Sequence, residues 1–193
     1  RAESICLESI SIGPQQPGTT PRTRKNMPSI IMIIQKNPMN IILAVDGSEH
    51  SISAINLLCD LPIHQAESPE SIVTALAVDD LRHTHHLSAL LAILEKTQEI
   101  LTNKGIRAQT GLLHGDPASE LTHYAAEHHP NIIVLGAKGL RATLGILLGG
   151  VAQQVVEYAC CPVLVVRAPY QDLRRVLFVT DGSTHSKLAL EYL

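Results

Sequence analysis

Apolar positions fall into an orderly rhythm from residue 40 onward. Residues 41–45 (IILAV) are an unbroken aliphatic run with the length of a buried strand. Asp46-Gly47-Ser48 ends it, and Ser48 is placed to cap a following helix. Ala54, Leu57, Leu58 and Leu61 then share one helical face, and Pro62 stops the helix. After a turn at Ser68-Pro69-Glu70, residues 72–78 read as a second strand. Leu87, Leu90, Leu91, Leu94 and Leu101 return to a helical period, closed by Gly105 in the left-handed position beyond a helix end. Residues 106–114 predict a third strand, with Ala108, Thr110 and Leu112 on one face. Asp116 and Pro117 open a third helix as cap and first helical residue. Leu121, Tyr124 and Ala125 form its buried side, and His128-His129-Pro130 ends it. A fourth strand (132–135), a glycine-rich loop, a helix (151–158) and a fifth strand (163–166) complete the pattern. Strands alternating with helices call for a parallel sheet covered on both faces.

The loop before the last helix reads GAKGLRATLGILLGG, residues 136–150. Glycine lets a backbone approach a ligand closely and take up positive φ. A helix starting just after Gly149-Gly150 aims N–H groups and a partial positive charge at the loop, which stabilises an anion such as phosphate. Lys138 and Arg141 would add charge. A glycine-rich turn that merely joins two elements has the same composition. The spacing is more informative. Gly136, Gly139 and Gly149 form G-x2-G-x9-G, which is neither a Walker A loop nor G-x-G-x-x-G. It resembles the nucleotide-binding signature of the universal stress protein family, and the strand CPVLVVR that follows fits the same family.

That resemblance implies an α/β fold of the adenine nucleotide alpha hydrolase-like kind. It would be a five-stranded parallel sheet in the order 3-2-1-4-5, with ATP, with or without Mg²⁺, between strands 1 and 4. Ala44 and Asp46 stand where the family contacts adenine and ribose. Val78 stands where backbone reads the adenine edge. Gly136, Lys138 and Gly139 match the loop over the phosphates, and Gly149, Gly150 and Val151 match the helix start. One position departs. The nucleotide-binding branch normally carries Ser or Thr where Gly150 stands, and a missing hydroxyl removes roughly 0.5–1.5 kcal/mol. The Gly150 N–H remains. Asp46 also suits a plain turn, since Asp-Gly-Ser turns well without a ligand. The departure leaves open a family member that works without nucleotide, through dimerisation or partner binding. An ATP pyrophosphatase of related fold is a third reading, opposed by the lack of an S-G-G-x-D-S loop.

Composition narrows the function further. The chain has 193 residues, 45% hydrophobic and 17% charged, which suffices for a full α/β domain with extra material. Aromatic residues make up only 3%, and the net charge is −3, so neither stacking nor phosphate neutralisation supports nucleic-acid binding. No apolar run approaches the roughly 20 residues of a membrane span. The run at 30–34 holds five consecutive apolar residues, short of a secretory h-region of about 7–15. Cys6, Cys59, Cys160 and Cys161 form no C-x-x-C pair, a usage that suits a reducing cytoplasm. Cys160 and Cys161 read as buried at a helix end and poorly placed to bond each other. His83, His85 and His86, like His123, His128 and His129, read as solvated rather than metal-binding. Asp79 and Asp80 are adjacent on a strand end, where side chains point apart. No catalytic constellation emerges, so binding is expected rather than turnover, with slow ATP hydrolysis compatible.

The chain is expected to divide into three parts. Residues 1–38, rich in Pro, Ser, Thr and Gln, read as disordered or loosely attached. Residues 39–168 form the domain. Residues 169–193 read as a linker and the opening of a second copy, because NIILAVDGSEHS at residue 40 recurs as RVLFVTDGSTHS at residue 175. Asp46, Gly47, Ser48, His50 and Ser51 return 135 positions later as Asp181, Gly182, Ser183, His185 and Ser186. The chain thus reads as a tandem protein cut off after one strand and helix of its second copy. Pairing through strand 5, in a homodimer or between tandem halves, follows from the family resemblance.

Overall fold

The computed structural model of the chain describes residues 38–61, 71–80, 87–139, 148–171 and 181–183. Strands β1 (Asn40–Ala44), β2 (Ile72–Asp79), β3 (Ala108–His114), β4 (Ile132–Gly136) and β5 (Val163–Val166) form one parallel five-stranded sheet. Helices α1 (Glu49–Asp60), α2 (Leu87–Asn103), α3 (Pro117–His128) and α4 (Gly150–Tyr158) connect them. The strand order is β3-β2-β1-β4-β5, the order the family resemblance implies.

The unbroken apolar runs follow from burial on both sheet faces. Side chains alternate between two cores, as the two-residue period of a strand requires. Ile41, Leu43, Val73, Ala75 and Val134 pack with α1 and α2. Ile42, Leu76, Ile133 and Leu135 pack with α3 and α4. Helix starts obey the predicted capping. The Ser48 hydroxyl accepts the Ser51 N–H at 3.1 Å, and the Asp116 carboxylate accepts the Ser119 N–H at 3.2 Å, with Pro117 opening α3.

Several details differ from the sequence pattern. Leu87 and Leu91 are exposed, and the buried stripe of α2 is Leu94, Thr97 and Leu101. Helix α2 packs chiefly on β2 and β3 at one side of the sheet, so only a narrow face is covered. Strand β3 starts at Ala108 rather than 106, because the Ile106 N–H closes the turn onto the Leu101 carbonyl at 2.9 Å. Thr110 is exposed on this edge strand. Cys160 and Cys161 are both free and are not both buried at the helix end: the bend after α4 leaves Cys160 exposed and only Cys161 half-buried against the core. At the end of α3, His128 stacks on Tyr124 with ring centroids 3.8 Å apart, and His129 takes the left-handed conformation.

The N-terminal segment, His83, His85, His86 and Arg141 lie outside the described residues, as does most of the repeated segment. Its turn is described. Gly182 has φ 74° and the Ser183 N–H donates to Asp181 Oδ1 at 2.9 Å. Gly47 has φ 80° and the Ser48 N–H donates to Asp46 Oδ1 at 2.9 Å. The repeat in sequence is matched by a repeat in local geometry.

Candidate functional site

Strands β1 and β4 are hydrogen-bonded neighbours, with Leu43 opposite Val134. From β1 the chain proceeds outward through β2 to β3, then returns to β4 on the other side of β1. This reversal is the topological switch point, where connections leave in opposite directions and open a crevice beyond the strand ends.

Two turns build the walls of that crevice. At the end of β1, Asp46 folds back to accept the Ser48 N–H. The Ser48 hydroxyl, while capping α1, donates to the Lys138 carbonyl at 3.1 Å. One buried side chain therefore ties the β1 turn to the loop after β4. At the end of β4, the Ala137 N–H donates to the Val166 carbonyl, and the Gly149 N–H donates back to the Ala137 carbonyl, both at 2.7 Å. That second bond brings the start of α4 against residues 137–139.

The glycines serve different purposes. A Cβ on Gly136 would lie 2.7 Å from both the His50 carbonyl carbon and the Ser51 amide nitrogen, so this glycine admits the first turn of α1. Reading it as room for a ligand is therefore incomplete: the chain's own backbone needs the space first. A Cβ on Gly139 would lie 2.8 Å from Asp46 Oδ2, so Gly139 makes way for that carboxylate. Gly149 caps α4 with no side-chain hydrogen bond. Among the described residues, no heavy atom lies within 4 Å of a Cβ on Gly150. Helix geometry leaves the first N–H groups of α4, from Gly150 to Ala152, without intrahelical acceptors.

These walls enclose a cavity of about 380 Å³. It is lined by Ala44, Asp46, Val78, Gly136, Lys138, Gly139, Gly149, Gly150 and Val151, every position the family resemblance pointed to. Val45, Ser51, Leu76, Pro117, Leu121, Leu135 and Ala152 line it as well. Sequence reasoning placed Pro117 and Leu121 only as a helix start and a buried face. Nothing local to α3 signals that its first turns cross the crevice; that depends on how the sheet is wound. The result is a cavity with an apolar side of Leu76, Val78, Leu121 and Leu135, opposite a backbone-rich, partly cationic side at Lys138 and α4.

Fold and cavity together define a doubly wound parallel α/β protein with a crevice at the switch point. Residues 38–167 match the model of the universal stress protein family, and the chain belongs to that family. The universal stress protein YxiE of Bacillus subtilis (strain 168) is 29% identical in an alignment of 149 residues that covers 66% of this chain and 97% of that protein. The solved universal stress protein UspA from Lactobacillus plantarum is 26% identical, covers 67% of this chain and 97% of its own, and superposes with a TM-score of 0.54. A universal stress protein family protein of Arabidopsis thaliana, solved with AMP bound, shares the fold at 18% identity and a TM-score of 0.52, over 67% of this chain and 92% of that one.

Proposed function

We propose that this chain binds an adenine nucleotide, ATP in the first instance, at the switch-point crevice and acts as a regulatory or protective module in stress response. The observation that carries this reading is the mouth of α4. It opens into the cavity beside Lys138 and Gly139, and among the described residues no side chain caps it and none fills the space at Gly150. Unpaired N–H groups at a helix start favour a phosphate. The apolar side of the cavity suits a purine, and Asp46 at its rim suits ribose hydroxyls. The volume lies within the range of about 300–1,000 Å³ usual for small-molecule sites. The AMP bound to the Arabidopsis relative supports the same ligand class.

Binding without turnover is the mode proposed, with Mg²⁺ accompanying the phosphates of ATP. Strand β5, an outer strand of the sheet, is the proposed pairing edge in a homodimer or between tandem halves. The matched turns at Asp46 and Asp181 support a second copy of the fold opening in residues 169–193. Among the described residues no helix is long and apolar enough to cross a membrane, and a cytoplasmic location is proposed.

One observation favours a second reading. Gly150 presents no hydroxyl where the nucleotide-binding branch carries one, which suits a member acting through dimerisation or partner binding alone. Calorimetric titration with AMP, ATP and ATP with Mg²⁺ separates the two, using the parent and Gly150→Asp. A carboxylate there has room and favours a helix start, yet repels phosphate. Binding by the parent and its loss in a variant that melts no lower supports the nucleotide site. Absence of heat in the parent at millimolar ligand supports the partner reading.

A further inference from the structure

His50 joins two parts of the domain that are far apart in the chain. It lies in the first turn of α1. A Cβ on Gly136 would meet the His50 carbonyl carbon at 2.7 Å and the His50 Cβ at 2.8 Å, so the residue is packed on the end of β4. Its ring reaches the segment that leaves β5: Nδ1 accepts the Ala168 N–H at 2.8 Å, across 118 positions of sequence. The segment is held on either side by other means. Before it, the Val166 carbonyl accepts the Ala137 N–H at 2.7 Å. After it, Tyr170 packs on the core shared by α1 and α2. Pro169, next in the chain, has no N–H to offer in place of Ala168.

What this bond can do follows from its direction. The amide is the donor, so Nδ1 must present a lone pair, and the neutral ring then carries its proton on Nε2. Protonation places an N–H on Nδ1 as well. Two donors then face each other, and the attraction is lost. Histidine is the side chain that ordinarily makes this change between pH 5 and 8. Strands β1, β4 and β5, which pack on α1, carry no ionisable side chain. The acids on the surrounding segments are Asp46 in the turn before α1, Glu49 and Asp60 on α1, and Glu95 and Glu99 on α2. The bases are Lys96 on α2, Lys138 after β4 and Arg167 after β5. Both signs surround the ring, and the contact that distinguishes its neutral form from its charged form is the bond to Ala168.

We propose that His50 is a proton-operated latch. Neutral, it holds the segment leaving β5 onto α1. Charged, it releases residues 167–169 while Val166 and Tyr170 stay in place. The latch needs no ligand in the crevice. It sets how firmly the domain holds the connection to the residues that follow.

The test reads amide exchange at Ala168 by NMR on the full chain, in the parent, His50→Asn and His50→Ala, at about pH 8 and about pH 5. Asparagine keeps an acceptor oxygen near the place of Nδ1 and does not titrate. At the higher pH the parent and His50→Asn should exchange alike. His50→Ala should exchange about 2- to 12-fold faster, the equivalent of one net hydrogen bond. At the lower pH the parent should exchange faster than His50→Asn by the same factor. Comparison of proteins at one pH cancels the pH dependence of the exchange chemistry. The Val134 amide, on β4 opposite Leu43, reports on the whole domain and should match in all three proteins. A ratio of parent to His50→Asn that is the same at both pH values overturns the proposal. So does a His50→Ala variant as slow as the parent at the higher pH, or a change at Val134 as large as the change at Ala168.

Discussion

Gly150→Ser is the substitution that most directly probes the crevice. Among the described residues a Cβ at this position meets no heavy atom within 4 Å, and Gly150 is not among the glycines with positive φ, so the added side chain brings no clash with them and no backbone strain. As the first residue of α4 it should gain up to about 0.5 kcal/mol of helix propensity over glycine. The fold therefore tolerates the change or is slightly stabilised by it. The larger effect falls on ligand. A hydroxyl at the helix mouth adds one hydrogen bond to a phosphate oxygen, about 0.5–1.5 kcal/mol net. At 1.4 kcal/mol per tenfold, Kd for AMP and ATP should fall by about 2- to 12-fold. Calorimetry on parent and variant with AMP, ATP and adenosine measures it, with thermal melts alongside. Adenosine lacks the phosphate and should bind both proteins equally. A folded variant with unchanged Kd for AMP, or an equal gain for adenosine, would refute the placement of phosphate at α4.

Three further outcomes follow from the same geometry. Gly136→Ala should lower stability by about 1–3 kcal/mol in denaturant unfolding, because its Cβ would press on the His50 and Ser51 backbone rather than on a pliable side chain; an unaltered midpoint would contradict that packing. Ser48→Ala should cost about 0.5–2 kcal/mol as the α1 cap is lost, and it should also weaken nucleotide binding by releasing the Lys138 loop. Loss of stability with no change in Kd would mean that this tie does not shape the site. Cys161, raised from an ordinary 9.0 to about 11, is favoured as the neutral thiol in the fold. Its contribution to stability is complete below pH 9 and is lost as pH rises through about 11. Alkylation mapped by mass spectrometry should reach half its limiting rate at Cys161 near pH 11, and half-reaction at or below pH 9 would count against that environment.

Strand and helix alternation, the capping residues Ser48 and Asp116, and the turns at Gly47 and Gly105 were all legible along the chain. Each depends on interactions within a few residues: a two- or 3.6-residue period, a side chain reaching the third N–H of its own helix, a backbone that needs positive φ. The glycine spacing added the crevice through family resemblance, since G-x2-G-x9-G has no meaning until β4 and α4 are placed side by side. Other features depend on contacts between distant segments. Gly136 is needed by His50, far back in the chain, and Pro117 and Leu121 reach the cavity because α3 crosses the sheet there. Leu87 and Leu91 carry the helical period yet stay exposed, because α2 has a sheet under only one narrow face. Cys160 stays exposed while Cys161 is half-buried, because the bend before Pro162 packs only the second against the core. Local period and capping chemistry depend on neighbours in the chain and can be read from it. Close approach of backbones, which wall borders a crevice and which apolar positions find cover depend on the winding of the sheet, which brings together residues that no local pattern connects.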